Sequence, residues 1–198
     1  MRSRECRDAG QAFPIYITVV GGLLFLALAY FAVGQASVNR NGAQAAADAA
    51  ALAAAQDTRD QLADKWIEDV LDPAEWQRIF EGDVAGLGPS CWRAEQLASR
   101  NDARVLSCTT EGLLGFTVEV ETAKPVGDSI VPGTEDKRSR ASATAEVESR
   151  CAFELPADDP GAEDPLELAC GDERWILDPK NPIDLPTADE LFDVHLTD

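Results

Sequence analysis

The sequence predicts an α+β protein. An N-terminal transmembrane helix is expected to continue into an alanine-rich helix packed on a small antiparallel sheet, followed by an acidic, largely irregular C-terminal tail. Three observations predict this fold class: an uncharged apolar stretch over 9–39, an alanine-rich run over 43–55, and alternating apolar and polar residues in two later segments. Such alternation is typical of strands that bury one face.

The apolar stretch is long enough to cross a membrane as one helix. Its centre, residues 13–33, contains no charged residue, and about 20 apolar residues cross a hydrocarbon layer of ~30 Å. Aromatic rings favour the headgroup region, and four lie near its ends: Phe13, Tyr16, Tyr30 and Phe31. We therefore expect a transmembrane helix over 12–36, with the lipid bilayer as a partner.

Positive charge predicts the orientation of this span. Arg2, Arg4 and Arg7 precede it, and basic residues beside a span tend to stay in the cytoplasm. Residues 1–11 are therefore expected to form a cytoplasmic arm. The protein is expected to cross the cell membrane once, with its C-terminal domain on the extracytoplasmic side.

Two other interpretations of the apolar stretch stay open. A cleaved secretory signal also has a basic start and an apolar core, and Gly34-Gln35-Ala36 offers a small-x-small cleavage site. The run is, however, longer than the ~7–15 apolar residues of such signals. The other alternative is a buried core helix, which rarely needs so many apolar residues in a row. A retained membrane anchor is the favoured interpretation.

Length and charge limit the class of protein. The 198 residues suit one exported domain, and the formal net charge is −19. A surface this acidic repels phosphate backbones, so we expect no nucleic-acid partner. The net charge also disfavours lying flat on anionic lipid.

Four of the five cysteines follow the span: Cys91, Cys108, Cys151 and Cys170. An even set outside the cytoplasm predicts two disulfides. Three connectivities exist, and we favour Cys91–Cys108 with Cys151–Cys170 because short loops close most readily. Cys6 lies on the expected cytoplasmic side and is expected to stay reduced. No CxxC spacing is present, so we expect no metal site and no cofactor.

The segment after the span is predicted to be helical over 37–72. Alanine, the best intrinsic helix former, dominates its first half. Leu62, Trp66 and Val70 then recur at four-residue spacing and indicate one apolar face. Asp72-Pro73 is expected to end the helix. The narrow alanine surface permits close approach by another element.

This segment resembles the N-terminal signature of the TadE/TadG-like proteins of the tight-adherence (Flp) pilus-assembly system. The resemblance rests on a basic arm, a single span and a run close to Q-x-A-A-D-A-A-A-L-A-A-A. The matching residues are Gly10, Gln44, Ala46, Ala47, Asp48, Ala49, Ala50, Ala51, Leu52 and Ala53. It covers about residues 7–56 and implies a minor pseudopilin or an envelope-anchored assembly factor. The implied partners are other Tad or pilus subunits, or pseudopilins. We expect the span and the alanine-rich helix to pack laterally against similar helices of these partners, in the membrane and outside it.

The resemblance also marks a candidate processing site. Type IV prepilins are cut after a glycine placed like Gly10, and a glutamate five residues further on then pairs with a neighbouring subunit. Ile15 occupies that position here. The sequence therefore favours the unprocessed, TadG-like role over the pseudopilin role, with cleavage after Gly10 as the alternative.

Residues 73–153 are expected to form a small α+β exported domain. Short helices are predicted over 73–80, with proline in the first turn, and over 91–99, with Ser90 as N-cap. Strands are predicted over 103–109, 114–121 and 138–153, the last with an alanine-lined buried face. We expect the alanine-rich helix to pack there in a pilin-like arrangement. The alternative fillers are the 73–80 helix and the side chains of Trp66 and Trp92.

Residues 154–198 form the predicted acidic, proline-rich tail. Fourteen Asp and Glu residues face only Arg174 and Lys180, a composition typical of extended, poorly ordered chain. Two features oppose complete disorder: Cys170 and the apolar cluster 175–177. Thr187 and Glu190 have the spacing of a capping box and predict a short amphipathic helix. Specific calcium binding is not expected, because no EF-hand loop is present.

No catalytic constellation is visible, and we expect that the protein is not an enzyme. The one histidine, His195, lies in the tail, so a catalytic triad in the domain is not expected. The carboxylates of Glu119, Glu121, Glu146 and Glu148 fall on predicted wet strand faces, where solvated groups are the norm. We expect no small-molecule substrate. Two alternatives to a pilus-assembly component remain: a secreted, disulfide-stapled binding module, and an anchored surface adhesin with an acidic ligand-binding tail.

Overall fold

The computed structural model describes residues 12–125, 136–153, 166–177 and 185–197. It contains α1 (Ala12–Glu68), α2 (Pro73–Phe80), α3 (Cys91–Arg100), β1 (Ala103–Glu111), β2 (Gly115–Thr122), β3 (Arg140–Ser149), β4 (Cys151–Phe153), β5 (Leu166–Cys170), β6 (Glu173–Leu177), α4 (Ala188–Leu191) and β7 (Phe192–Thr197). The architecture confirms the predicted α+β class. The expected cytoplasmic arm, Cys6, Gly10 and residues 154–165 and 178–184 of the expected tail lie outside the described residues.

Helix α1 joins the apolar stretch to the alanine-rich run without a break. Its 57 residues extend over about 85 Å at 1.5 Å per residue. Gly42 lies within it, although glycine costs about 1 kcal/mol relative to alanine inside a helix. The helix ends at Glu68, slightly earlier than predicted, and a short turn leads to α2. The apolar stretch and the folded domain therefore share one continuous helix.

Helix α2 begins and ends as its sequence predicts. The Asp72 side chain accepts a hydrogen bond from the Ala74 N–H, and Pro73 occupies the first turn. At the other end, Gly82 has a φ of +75°. The Gly82 N–H donates to Ile79 O and the Asp83 N–H to Arg78 O, which is the Schellman pattern.

The main sheet has four antiparallel strands in the order β1-β2-β3-β7. Its central pair aligns Val118 with Ala143 and Phe116 with Ala145. The C-terminal strand β7 pairs with β3, with Phe192 opposite Ser149 and Thr197 opposite Thr144. A second sheet, β4-β5-β6, is also antiparallel.

The alanine-rich part of α1 packs on this main sheet, as predicted, and also on α3. One helical face carries the residues without exposed surface: Ala43, Ala46, Ala47, Ala50, Ala51, Ala54 and Ala55. The facing side chains of the sheet include Val118, Val120 and Ala145, which are also fully buried. Small side chains on both sides let the helix axis approach the sheet closely, and interiors tolerate few voids.

Aromatic rings fill the core beyond the alanine face. Trp66 and Trp76 have ring centroids 5.7 Å apart, Trp76 and Phe153 5.5 Å, and Phe80 and Phe192 5.5 Å. The cluster joins the end of α1 to α2, to β4 and to β7. Trp76 and Phe80 of α2 thus pack at this end of the domain, beside Trp66, and not in place of α1. Trp92 is half exposed and is not part of the cluster.

The predicted strand over 138–153 is wrong in its extent. The chain leaves the main sheet at Arg150, whose N–H donates to Leu191 O and whose carbonyl accepts from the Gly171 N–H. Residues 151–153 then belong to the second sheet. Arg150 is therefore the junction where one continuous alternating segment divides between two sheets.

The described parts of the acidic tail, 166–177 and 185–197, contain regular elements. The rest of the segment that was expected to be largely irregular lies outside the described residues. β5 and β6 form a hairpin, and β7 completes the main sheet. The Thr187–Glu190 capping box is present, but α4 has only four residues and Phe192 begins a strand. Leu191 and Phe192 are fully buried, which explains why this acidic segment orders.

The packing of α1 predicts a size limit at its buried alanines. Ala50→Leu should lower the free energy of unfolding by roughly 1–3 kcal/mol, because added methyl groups must displace the helix from the sheet. Ala45→Leu, at an exposed position of the same helix, is the matched control and should change it little. Chemical denaturation of the full chain in detergent, followed by tryptophan fluorescence, measures both. Equal effects at the two positions would contradict this packing.

Candidate functional site

The first half of α1 presents an apolar surface that no described part of the chain covers. Phe13, Leu24, Phe25 and Tyr30 are 61–84% exposed. Among the described residues this is the one helix long and apolar enough to cross a membrane. An uncovered apolar patch of this size marks a surface for lipid or for another protein. It is the principal candidate interaction surface.

One polar side chain within this surface bonds to its own helix. The Thr18 hydroxyl donates to Pro14 O at 2.8 Å, a bond within the helix. Gly21, Gly22 and Gly34 have open space where a Cβ would lie. The apolar half of α1 thus exposes apolar side chains, and the helix surface is shallow where the glycines lie.

Apart from Gly10, which lies outside the described residues, the predicted family-motif residues lie together on the second half of α1, and most are buried. Ala46, Ala47, Ala50 and Ala51 have no exposed surface, and Ala53 is 6% exposed; Ala49 and Leu52 are half-buried. Their neighbours are the main sheet and α3 of the same chain. The expectation that this alanine surface packs against other subunits outside the membrane is therefore not supported. Its physical role is to hold the helix on its own domain.

The polar residues of the motif lie at the edge of this contact. Gln44 Nε2 donates to Asp48 Oδ1 at 2.8 Å, one helical turn away. The same nitrogen lies 3.4 Å from Ser142 O on β3. Gln44 therefore ties the first turns of the alanine run to the sheet, and Asp48 holds the Gln44 side chain in place. This explains why a glutamine and an aspartate stand in an otherwise apolar run.

A second polar contact joins α1 to the start of α3. The hydroxyls of Thr58 and Ser90 are 2.7 Å apart in a buried position. Gln61 accepts from the Gly88 N–H at 2.5 Å and donates to Ser90 Oγ at 3.3 Å. Ser90 does occupy the N-cap position of α3, but its hydroxyl bonds to α1 and not to its own helix.

The structure pairs the cysteines as predicted. Cys91–Cys108 links α3 to β1, and Cys151–Cys170 links register partners on β4 and β5. The first bond fixes α3 against the sheet on the side where α1 packs. The second holds the small sheet together at its junction with the main one.

Glu121 is not solvated, which corrects the expectation of a wet strand face there. Its side chain is 8% exposed, and it bonds to Arg104 and Arg140 from the two neighbouring strands. Register places Arg104, Glu121 and Arg140 side by side across β1, β2 and β3. The two arginines cover the carboxylate while remaining 62% exposed themselves. Glu146 and Glu148 are exposed, as expected.

Hydrogen bonds from Arg104 and then Arg140 hold the pKa of Glu121 below its ordinary value of 4.5, and the charges of both arginines act in the same direction. The ion-pair cluster is therefore complete at neutral pH. A carboxylate with a depressed pKa stabilises the fold above its unfolded pKa, and this contribution is lost as the pH falls through the folded pKa.

The cluster predicts a pH-dependent difference between variants. Glu121→Gln should lower the melting temperature at pH 7, and the gap to the wild type should shrink as the pH falls below 4.5 and Glu121 itself becomes neutral. Glu119→Gln, on the same strand and paired with no described arginine, is the control. Melting curves between pH 7 and pH 3 measure both. A gap that stays constant with pH would refute the ionised cluster.

The disulfide between α3 and β1 predicts a stability loss. Replacing Cys91 and Cys108 together by alanine should cost about 3 kcal/mol, since the cross-link closes a loop of 17 residues. Cys6→Ala removes the one cysteine outside both disulfides and controls for loss of a thiol. Denaturant titration reports the difference, and an unchanged midpoint in the double variant would count against the assignment.

Within the described ranges, no group of three or more His, Cys, Asp or Glu side chains is placed to hold a metal ion. His195 lies partly exposed on β7, with Nδ1 3.2 Å from Asp193 Oδ2. The contact joins two residues of one strand.

Comparison with known proteins bears on the N-terminal quarter of the chain. Residues 10–57 match the family model described as Flp pilus-assembly TadE/G-like. The match contains the apolar half of α1 and all of the alanine run named above. No curated protein and no solved structure matches the chain. The segment that carries the uncovered apolar surface and the buried motif is thus similar to the TadE/G-like Flp pilus-assembly family, in agreement with the resemblance seen in the sequence.

Proposed function

We propose that this protein is a membrane-anchored, non-enzymatic component of a tight-adherence (Tad/Flp) pilus-assembly or related secretion apparatus. It crosses the bilayer once through the apolar half of α1 and holds its folded domain outside the cytoplasm. The observation that carries the proposal is the family match over a helix whose apolar half is uncovered. Its partners are the lipid bilayer and other Tad or pilus subunits.

The division of α1 into two surfaces supports a role in assembly. The alanine face is occupied by the chain's own sheet, so contacts with other subunits are made by the span. Gly21, Gly22 and Gly34 let a second helix approach closely, because nothing in the described chain occupies the space beside them. This refines the expectation of helix contacts both inside and outside the membrane.

The two disulfides support the extracytoplasmic placement of the domain. Stable disulfides form in oxidising compartments such as the periplasm, whereas cytosolic thiols are kept reduced. The Cys91–Cys108 and Cys151–Cys170 bonds both follow the span in the chain. Together with Arg2, Arg4 and Arg7 before the span, they favour a cytoplasmic N-terminus.

Photo-crosslinking in the native cell tests the assembly role. A photoreactive amino acid at Leu24 or Phe25 should capture other pilus-assembly membrane proteins, since these side chains face outward from the span. The same probe at exposed Gln56, outside the membrane on the same helix, is the matched control. Deletion of the gene should abolish surface pili. Normal piliation after deletion, or equal capture from Gln56, would argue against the proposal.

A secreted, disulfide-stapled binding module is the second candidate. It is favoured by the two disulfides and by residues 13–33, whose apolar side chains are exposed and do not pack on the folded domain. Intact mass of the native protein separates the candidates. Full length in the membrane fraction, gaining four protons on reduction, is the expected result. Loss of residues 1–10 would assign prepilin-type cleavage after Gly10. A protein that lacks residues 1–36 and is found in the medium would assign the secreted module.

A further inference from the structure

We propose that the end of the folded domain next to the span docks on anionic lipid headgroups through a rim of basic side chains. The basic rim is defined as Arg40, Arg100, Arg104, Lys124, Lys137, Arg138 and Arg140, all of which are exposed. The inference goes beyond a role in pilus assembly and rests on insertion of the apolar half of α1 in a bilayer.

Strand and helix directions place the rim at the membrane end of the domain. Gln44, early in the alanine run, lies beside Ser142 on β3. Phe192, the register partner of Ser149, belongs instead to the aromatic cluster that contains Trp66 near the end of α1. β3 therefore runs in the same direction as α1, and its first residue, Arg140, lies at the end of the strand nearer the span.

The neighbouring elements bring their basic residues to the same end. Register pairs Arg140 with Glu121 and Glu121 with Arg104. The Ala123 N–H donates to Asp102 O, which places the 123–125 segment beside the turn that follows Arg100. Residues from α3, β1, β2 and β3 thus form one edge around the point where α1 enters the domain.

Charge is divided unequally between this edge and the rest of the domain. Among the described residues, the edge carries the seven basic residues of the rim against three acidic ones, Asp102, Glu121 and Asp136. The other described residues contain six Lys and Arg against twenty-one Asp and Glu. Two of the three acidic side chains are already paired within the edge, Glu121 with two arginines and Asp102 with Lys124 at 3.3 Å. The described residues of this edge therefore carry a net positive charge, although the protein as a whole is acidic.

The rim lies within electrostatic reach of the membrane surface. Arg40 follows the predicted end of the span by four residues, about 6 Å along the helix. Ser142 lies level with Gln44, about 12 Å along the helix from the end of the span. Arg140 is two strand residues nearer the membrane and therefore lies at about 5 Å. These distances are comparable to the ~8 Å screening length at physiological ionic strength. Basic residues that close to an anionic leaflet are attracted to it.

The net charge of −19 does not oppose this arrangement. Repulsion between an acidic protein and an anionic surface acts on the residues that approach that surface. Here the acidic residues of β5, β6 and β7 belong to other parts of the domain, and screening reduces their effect beyond one screening length. The rim lets the domain stand on the bilayer at a defined angle with its acidic surface turned away.

Amine footprinting of the full chain in nanodiscs tests the proposal. Lys124 and Lys137 lie in the rim, whereas Lys65 lies near the far end of α1 and serves as the internal reference. Acylation of Lys124 and Lys137 should slow by about threefold or more when phosphatidylglycerol replaces part of a phosphatidylcholine bilayer. Labelling of Lys65 should not change. About 1 M salt, with a screening length of ~3 Å, should remove the protection.

A pair of matched variants separates a rim effect from a general charge effect. Lys137→Gln with Arg138→Gln should abolish most of the lipid-dependent protection at Lys124. Arg78→Gln with Arg174→Gln removes the same charge from exposed positions outside the rim and should leave the protection intact. Equal labelling in the two lipids, or an equal change at Lys65, overturns the proposal. Incorporation into nanodiscs reports separately on the span, so failure of the anchor and failure of the rim are distinguishable.

Discussion

The close packing of the α1 alanine face on β2 and β3 is the contact on which the rest of the domain depends. Alanine is the residue that combines the highest helix propensity with a side chain small enough for the helix to lie directly on a sheet. Once α1 lies there, Ser90 and Gly88 meet Thr58 and Gln61, and Trp66 reaches the rings of α2. A helix held further from the sheet would lose all of these contacts together.

One helix thus has two halves suited to different environments, the first to lipid and the second to a protein surface in water. Its first half has no partner among the described residues and is apolar on every side, as lipid requires of a single span. Its second half is amphipathic, with alanines against the sheet and residues such as Gln56, Asp60 and Asp64 in water. The change occurs near Arg40, the first charged residue after the span, with no interruption of the helix.

Local signals in the sequence were sufficient for much of this structure. The span, the alanine helix, the proline-led α2 and the short-range disulfides each depend on residues close together in the chain, where propensity, capping and loop closure operate. The alanine face of β3 also pointed correctly to α1, because only a closely packed element could fill the space beside it.

The remaining features depend on pairing between distant residues. Alternation continues unchanged from Ala141 to Phe153, so nothing in its period marks the change of sheet at Arg150. The acidic composition of the C-terminal segment gave no indication of β7, because this strand is stabilised by burial of Phe192 and by pairing with β3. The environment of Glu121 likewise depends on register, which brings Arg104 and Arg140 to either side of it.

The unbroken helix through the membrane boundary has a mechanical consequence. A helix without a hinge transmits rotation and tilt along its whole length, so a turn of the span about its axis turns the folded domain by the same angle. Over about 85 Å, a tilt of ten degrees in roughly half the helix moves the far end by about 7 Å. Such a chain works as a lever, in which a rearrangement of helices within the bilayer becomes a displacement of the protein surface outside it.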